Sequence, residues 1–163
     1  MASGHQHLGT HQEAFIPSGE QFRIGIVVSE WNSEITEKLY QGCYRLLTKH
    51  HTPAEHIITL YVPGSFELPQ AAQLLLESQE LDAVVCLGCI IKGETEHDRH
   101  IAGAVANGIM QVSLDYSTPV IFGVLTTNDL QQAADRAGGK YGNKGEESAI
   151  TALRMAAIRT RLI

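Results

Sequence analysis

Apolar residues in this chain fall alternately into short unbroken runs and into spaced stripes. Residues 22–28 (FRIGIVV) form a β-branched run, which predicts a strand. Over 33–50, Ile35, Leu39, Cys43, Leu46 and Leu47 recur at helical spacing. A second strand is predicted at 56–62 (HIITLYV), a helix at 65–78 and a third strand at 82–91 (DAVVCLGCII). The next helix carries Ile101, Val105, Ile109 and Val112 on one stripe, and a fourth strand is predicted at 119–127 (PVIFGVLTT). Two helices end the chain, one with Leu130, Ala133, Ala134 and Ala137, the other with Ala149, Leu153, Ala156 and Ala157. Strands that are apolar on both faces and alternate with helices predict an α/β fold. They would form a three-layer α/β/α sandwich around a four-stranded parallel sheet.

Such sheets bind ligands outside the carboxyl ends of their strands. The four predicted exits read SEWN (29–32), PGSFELP (63–69), KGETEH (92–97) and TTND (126–129), all rich in turn formers or polar groups. The third runs on as KGETEHDRH, with seven ionisable side chains in nine residues. A helix start explains part of that density. Thr95-Glu96-His97-Asp98 fits a capping box, and Glu96 and Asp98 suit the positive end of a helix dipole. Capping needs neither Gly93 nor a His in the first turn. Gly93 lets backbone approach a ligand, and free N–H groups around Glu94 and Thr95 can hold an anion such as phosphate. His97 beside them is suited to moving protons near neutral pH. The acids at 94, 96 and 98 would repel phosphate, so cations must come from elsewhere. The segment 134–149 (ADRAGGKYGNKGEESA) supplies Arg136, Lys140 and Lys144 among four glycines, although a solvated interhelical loop reads the same way. Trp31, the only Trp, is either core or a flat platform for a planar ring. Glu67 is either a helix N-terminal acid or an acceptor for ligand hydroxyls.

Composition narrows the classes. The chain has 163 residues, 44% hydrophobic and 18% charged, which suits one globular domain, placed at 21–163 after a mobile tail at 1–20. The net charge of −6 argues against nucleic-acid binding, and no apolar stretch reaches membrane-span length. The N-terminus lacks the apolar region of a secretory signal. Its His5, His7 and His11 could ligate a metal, but nothing fixes their geometry. The three cysteines, Cys43, Cys86 and Cys89, lie in apolar surroundings, as thiols buried in a reducing cytoplasm would. Cys86 and Cys89 match C-x-x-C, yet residues three apart on a strand face opposite ways, so they are assigned to the core.

Taken together, SEWN (29–32), VPGSFELPQAA (62–72), GCIIKGETEH (88–97) and FGVLTTNDLQQAADRAGGKYGNKGEESA (122–149) resemble the lumazine synthase family, in order over residues ~22–160. The resemblance implies a flavodoxin-like fold. It also implies condensation of 5-amino-6-(ribitylamino)uracil with 3,4-dihydroxy-2-butanone 4-phosphate to 6,7-dimethyl-8-ribityllumazine, phosphate and water, without metal or redox cofactor. By the same resemblance Trp31 and Asn32 meet the pyrimidine, and Ile90 and Ile91 line it through their backbone. Ser65, Phe66 and Glu67 hold the ribityl chain. Gly93, Glu94 and Thr95 bind phosphate, His97 transfers protons and Arg136 grips the phosphate. Phe122 and Lys144 come from a neighbouring subunit. Family members form pentamers, and some close twelve of them into a 60-subunit icosahedral capsid, which the short connection between the last two helices permits here. A riboflavin synthase partner is implied as well. One departure stands out: where the family carries an aromatic and then an acid after the His, this chain has Asp98 and Arg99, which bears on the pH optimum. Two other readings are a non-catalytic shell protein and a flavodoxin-like flavin- or phosphate-binding module. The joint presence of Glu67, His97, Arg136 and Lys144 favours the enzyme.

Overall fold

A computed structural model describes residues 15–163. The histidines at 5, 7 and 11 lie outside the described residues. Within the expected tail, Ile16 packs against the core and the Gly19 N–H donates to the His50 carbonyl at 2.7 Å, so packed chain reaches back past residue 21.

The β-branched runs form strands β1 (Ile24–Ser29), β2 (Ile57–Val62), β3 (Ala83–Ile91) and β4 (Val120–Thr127). The striped segments form helices α1 (Ser33–Lys49), α2 (Leu68–Ser78) and α3 (His97–Asp115). After β4 come a short helix α4 (Leu130–Arg136), a two-stranded ribbon of β5 (Ala137–Gly139) and β6 (Gly142–Asn143), and the long helix α5 (Lys144–Leu162). The four strands pair in parallel in the order β2-β1-β3-β4.

Because successive strand residues face opposite ways, each strand feeds two cores. On one side Ile24, Ile26, Val28, Val85 and Leu87 meet Leu39, Cys43 and Leu47 of α1, Ala133 of α4, and Leu153 and Ala156 of α5. On the other side Val27, Val84, Cys86 and Val124 meet Leu68, Ala72 and Leu75 of α2 and Val105 and Ile109 of α3. Burying each such Leu, Ile or Val is worth about 1.5–3 kcal/mol, which is why the layers stay closed. Cys86 and Cys89 fall in the two different cores, and burial raises their thiols to about 12 and about 11. The strand alternation that assigned them to the core therefore holds.

Three expectations are corrected. The outer strand β2 is not apolar and buried on both faces: Leu60 and Tyr61 are exposed, as an edge strand with one open side allows. Ala137 is not helical; it ends α4 and opens the ribbon, in which Gly138 (φ 102°) and Gly142 (φ 79°) take left-handed backbone that other residues avoid. The helix expected from residue 65 begins as a 3-10 turn, Ser65–Glu67, before α2 proper.

Candidate active site

All four strands run the same way, so their exits share one edge of the sheet. The chain leaves β1 toward β2 but leaves β3 toward β4, and the crevice between them is the switch point where such sheets take ligands. Hydrogen bonds show the split. Glu30 N–H donates to Val62 C=O at 2.8 Å and Trp31 N–H to Pro63 C=O at 3.1 Å, drawing the β1 exit toward β2. Lys92 N–H donates to Thr127 C=O at 2.8 Å, drawing the β3 exit toward β4. The β1–β3 ladder ends at Val28 and Leu87, four residues before β3 itself ends.

Trp31 stands at this crevice 72% exposed, which rules out the core reading of its ring. Asn32 follows in left-handed conformation (φ 60°, ψ 44°), and its amide donates to the Cys89 carbonyl at 2.9 Å across the crevice. Cys89 thus faces β1 while Lys92 faces β4. Strand alternation then turns the Ile91 backbone toward the crevice and that of Ile90 toward β4.

The β2 exit supplies Ser65, Phe66 and Glu67. Phe66 is 60% exposed. Glu67 Oε2 accepts from Gly64 N–H at 2.9 Å, so one carboxylate oxygen closes its own turn and the other remains able to accept a hydrogen bond. Ser65 is buried with no hydrogen-bond partner for Oγ, close to Gly88, where any side chain would collide with that oxygen.

At the β3 exit, Gly93 has negative φ and open space where a Cβ would stand, so the chain itself does not require glycine there. The reciprocal capping box expected from Thr95 and Asp98 does not form. Helix α3 starts at His97 with Glu96 at its N-cap and no side-chain cap bond, while Thr95 Oγ1 accepts a long 3.4 Å bond from His97 N–H. The first-turn N–H groups are thereby left largely open, as an anion site needs. His97 is exposed. Arg99 lies 3.7 Å from Glu96 on the surface, offsetting one of the local acids. An open cavity of about 330 Å³ adjoins the turn, lined by Ile90, Lys92 and Thr95 of the β3 exit and by Thr126, Thr127 and Asn128 of the β4 exit, among others. Lys92, Thr127 and Asn128 belong to the polar exits 92–97 and 126–129 but were not among the individual candidates, and they line this cavity. A larger cavity of about 380 Å³, between Glu34, Ile35 and Lys38 of α1 and Leu130, Gln131 and Ala134 of α4, holds none of the candidate residues.

The remaining three candidates lie away from this edge within the chain. Phe122 sits five residues before the β4 exit, roughly 16 Å along the strand. Arg136 ends α4, about 10 Å of helix beyond that exit; its guanidinium donates to Gln132 C=O and lies 4.9 Å from the Tyr141 ring centroid. Lys144 begins α5 and pairs with Glu147 at 2.6 Å. One chain therefore gathers Trp31, Asn32, Ser65–Glu67, Ile90, Ile91, Gly93–Thr95 and His97 at one edge, and leaves Phe122, Arg136 and Lys144 elsewhere on its surface.

Comparison with known proteins bears directly on this arrangement. The family model for 6,7-dimethyl-8-ribityllumazine synthase matches residues 21–160. The chain belongs to the 6,7-dimethyl-8-ribityllumazine synthase family. It is 52% identical to a protein of that name from Cytophaga hutchinsonii, over 96% of this chain and 98% of the relative. It is 48% identical to one from Parabacteroides distasonis, over 95% and 97%, and 47% identical to one from Porphyromonas gingivalis, over 97% and 98%. The parallel α/β/α sandwich described above is the flavodoxin-like fold expected of a lumazine synthase.

Proposed function

We propose that the chain condenses 5-amino-6-(ribitylamino)uracil with 3,4-dihydroxy-2-butanone 4-phosphate to 6,7-dimethyl-8-ribityllumazine, releasing phosphate and water, as a transferase of riboflavin biosynthesis. The observation that carries this reading is the crevice between the β1 and β3 exits. There an exposed aromatic ring, a carboxylate with a free oxygen, an open glycine turn and a histidine meet at one edge, within a chain that matches a relative named 6,7-dimethyl-8-ribityllumazine synthase over 96% of its length.

In this reading the pyrimidine stacks on Trp31 with Asn32 beside it and reads the strand backbone at Ile91, while Ile90, expected to line it through its backbone as well, turns that backbone toward β4. The ribityl hydroxyls meet Ser65, Phe66 and Glu67, and the phosphate lies on Gly93–Thr95. The pyrimidine amine attacks the ketone carbon, and the carbonyl oxygen leaves as water. A proton is then lost beside the imine as phosphate departs. That proton comes from C3 and the phosphate leaves C4, so an enol remains at C3. Protonation at C4 turns it into a methyl ketone, and attack of the ribityl-bearing nitrogen on this new C3 carbonyl closes the ring with loss of a second water. His97, exposed at the start of α3, takes and returns protons beside the leaving phosphate. Much of the rate comes from holding two substrates together.

The placement of Phe122, Arg136 and Lys144 supports a site shared between chains. A neighbour would bring its Arg136 to the phosphate as a bidentate donor, answering Glu94, Glu96 and Asp98, and its Phe122 and Lys144 to the pyrimidine side. Exposed apolar residues consistent with such packing include Met110 and Leu114 on α3 and Phe122 itself. We accordingly read residues 21–163, together with the packed stretch from Ile16 that precedes them, as one domain that assembles into pentamers, with the 60-subunit capsid and a riboflavin synthase partner as further family-like arrangements. No helix among the described residues is long and apolar enough to cross a membrane, and a cytoplasmic enzyme is the reading that fits its buried thiols.

Mixing the protein with both substrates and following lumazine absorbance and fluorescence tests the activity. Absence of product from authentic substrates would leave the shell-protein reading ahead. Light scattering or negative-stain images separate a pentamer from a capsid.

A further inference from the structure

We propose that Asn32 is a positioning residue, whose side-chain amide clamps the β1 exit to β3 across the crevice and so fixes where Trp31 stands relative to the Ile90–Ile91 backbone. The inference rests on the reading of Trp31 as the pyrimidine platform.

An Asn at a helix N-cap ordinarily takes extended backbone and turns its oxygen onto the first free N–H groups. Asn32 does neither. It holds left-handed backbone, makes no side-chain cap bond, and sends its amide to a carbonyl 57 residues away. The reason lies in the sheet. Past Val28 and Leu87 the β1–β3 ladder has ended, yet the Cys89 carbonyl still faces β1. The Asn32 amide supplies the N–H that the next rung of the ladder would have supplied. It does so at the point where the β1 exit has been drawn away toward β2 by the bonds from Glu30 and Trp31.

Trp31 is thereby tied on both sides. Its own N–H is held by Pro63 C=O on the β2 side, and the residue after it is held by Cys89 C=O on the β3 side. Little else holds the ring, which is mostly exposed. The residue type is restricted as well. Left-handed backbone suits Gly, Asn and Asp; of these only Asn also carries a donor. The asparagine oxygen remains open to a ligand while the nitrogen is committed to the clamp.

Asn32→Gly keeps the backbone conformation and removes the clamp. Asn32→Asp keeps the size and conformation but sets a carboxylate against the carbonyl. Both are made in the intact oligomer, with thermal melting as the check on folding, and either one suffices if the other fails to fold. Trp31 is the only Trp, so acrylamide quenching and fluorescence anisotropy of the substrate-free protein read the platform directly. The expected result is easier quenching, lower anisotropy and a KM for the pyrimidine substrate raised about tenfold. The KM for the phosphate substrate and the melting temperature stay close to wild type. Unchanged quenching with unchanged pyrimidine KM overturns the proposal. So does a parallel shift of both KM values, kcat and melting temperature, which marks a purely structural role. If quenching changes but the pyrimidine KM does not, Trp31→Ala locates the failure. A pyrimidine KM unaffected in that variant too shows that the platform reading fails, and a raised one shows that the clamp does not set the platform.

Discussion

Gly93 shows how the site departs from what the fold alone would ask. Its backbone is not left-handed and a Cβ there would meet open space, so the chain has no need of glycine at that point. A ligand approaching the turn would. Gly93→Ala is therefore expected to leave the melting temperature unchanged while raising the KM for the phosphate substrate; a lower melting temperature with unaltered KM contradicts the role. Arg136→Ala is expected to raise the same KM by about 10- to 100-fold, the value of hydrogen bonds to a charged group, and kinetics equal to wild type would remove Arg136 from the site. His97 is exposed at the head of α3, where water can replace it. His97→Ala is expected to slow kcat by less than about 100-fold, below the usual range for a committed acid–base group. Measuring both KM values and kcat for the three variants separates phosphate binding from proton transfer. The positions of Trp31, Glu67 and the Gly93 turn were legible because each sits at a strand exit that the apolar pattern marks, whereas the roles given them rest on the family resemblance. Asn32 was legible only as a residue of that exit, because its partner carbonyl lies 57 residues away in sequence.

At the scale of elements, unbroken apolar runs made the strands readable, since a strand fed from both faces shows no alternation. The same logic failed at the ends of segments. Ala137 continues the small-residue stripe of α4, but the helix stops before it, because Gly138, next in the chain, takes positive φ and turns into the ribbon, which the stripe does not reveal. The start of α5 turns on Asn143, which no periodicity pointed to. Its oxygen accepts from Gly145 N–H at 2.8 Å, and its amide donates to Lys38 C=O at 2.9 Å, so one side chain caps α5 and ties it to α1. The two helices approach so closely there that a Cβ on Gly145 would strike the Leu39 carbonyl, and one on Gly42 would lie 2.6 Å from the Asn143 amide. Gly145→Ala is expected to cost on the order of 1–3 kcal/mol as an overpacking change, read as a lower urea midpoint at constant slope; an unchanged midpoint contradicts the close crossing. The buried thiols give a pH expectation. With Cys86 and Cys89 raised to about 12 and about 11 by burial, the folded chain holds protons that the unfolded chain loses above the ordinary thiol range near pH 8.5. Their contribution to stability is then full below that pH and is lost as pH rises toward 11–12. At pH 8 all three cysteines should resist alkylation until the protein is unfolded, and rapid labelling of the native protein would show that the cores are open.

For the whole molecule, the notable fact is what one chain leaves undone. Phe122, Arg136 and Lys144 belong with the site by resemblance, yet a single chain holds them on a strand interior, a helix end and a helix start away from the crevice. The family resemblance already assigned Phe122 and Lys144 to a neighbouring subunit; the fold adds that Arg136, too, ends a helix away from the crevice of its own chain. If the site is shared, Glu67→Gln and Arg136→Ala proteins mixed as unfolded chains and refolded together should be more active at low phosphate-substrate concentration than either refolded alone, because some interfaces then carry both native residues. Failure to complement would place Arg136 with its own chain. The central claim is the reaction itself, and it is tested most directly by incubating the purified protein with 5-amino-6-(ribitylamino)uracil and 3,4-dihydroxy-2-butanone 4-phosphate. Lumazine absorbance and fluorescence should appear with release of one phosphate per product, faster than in protein-free controls. Substrates that react no faster with the protein than without it would contradict that claim.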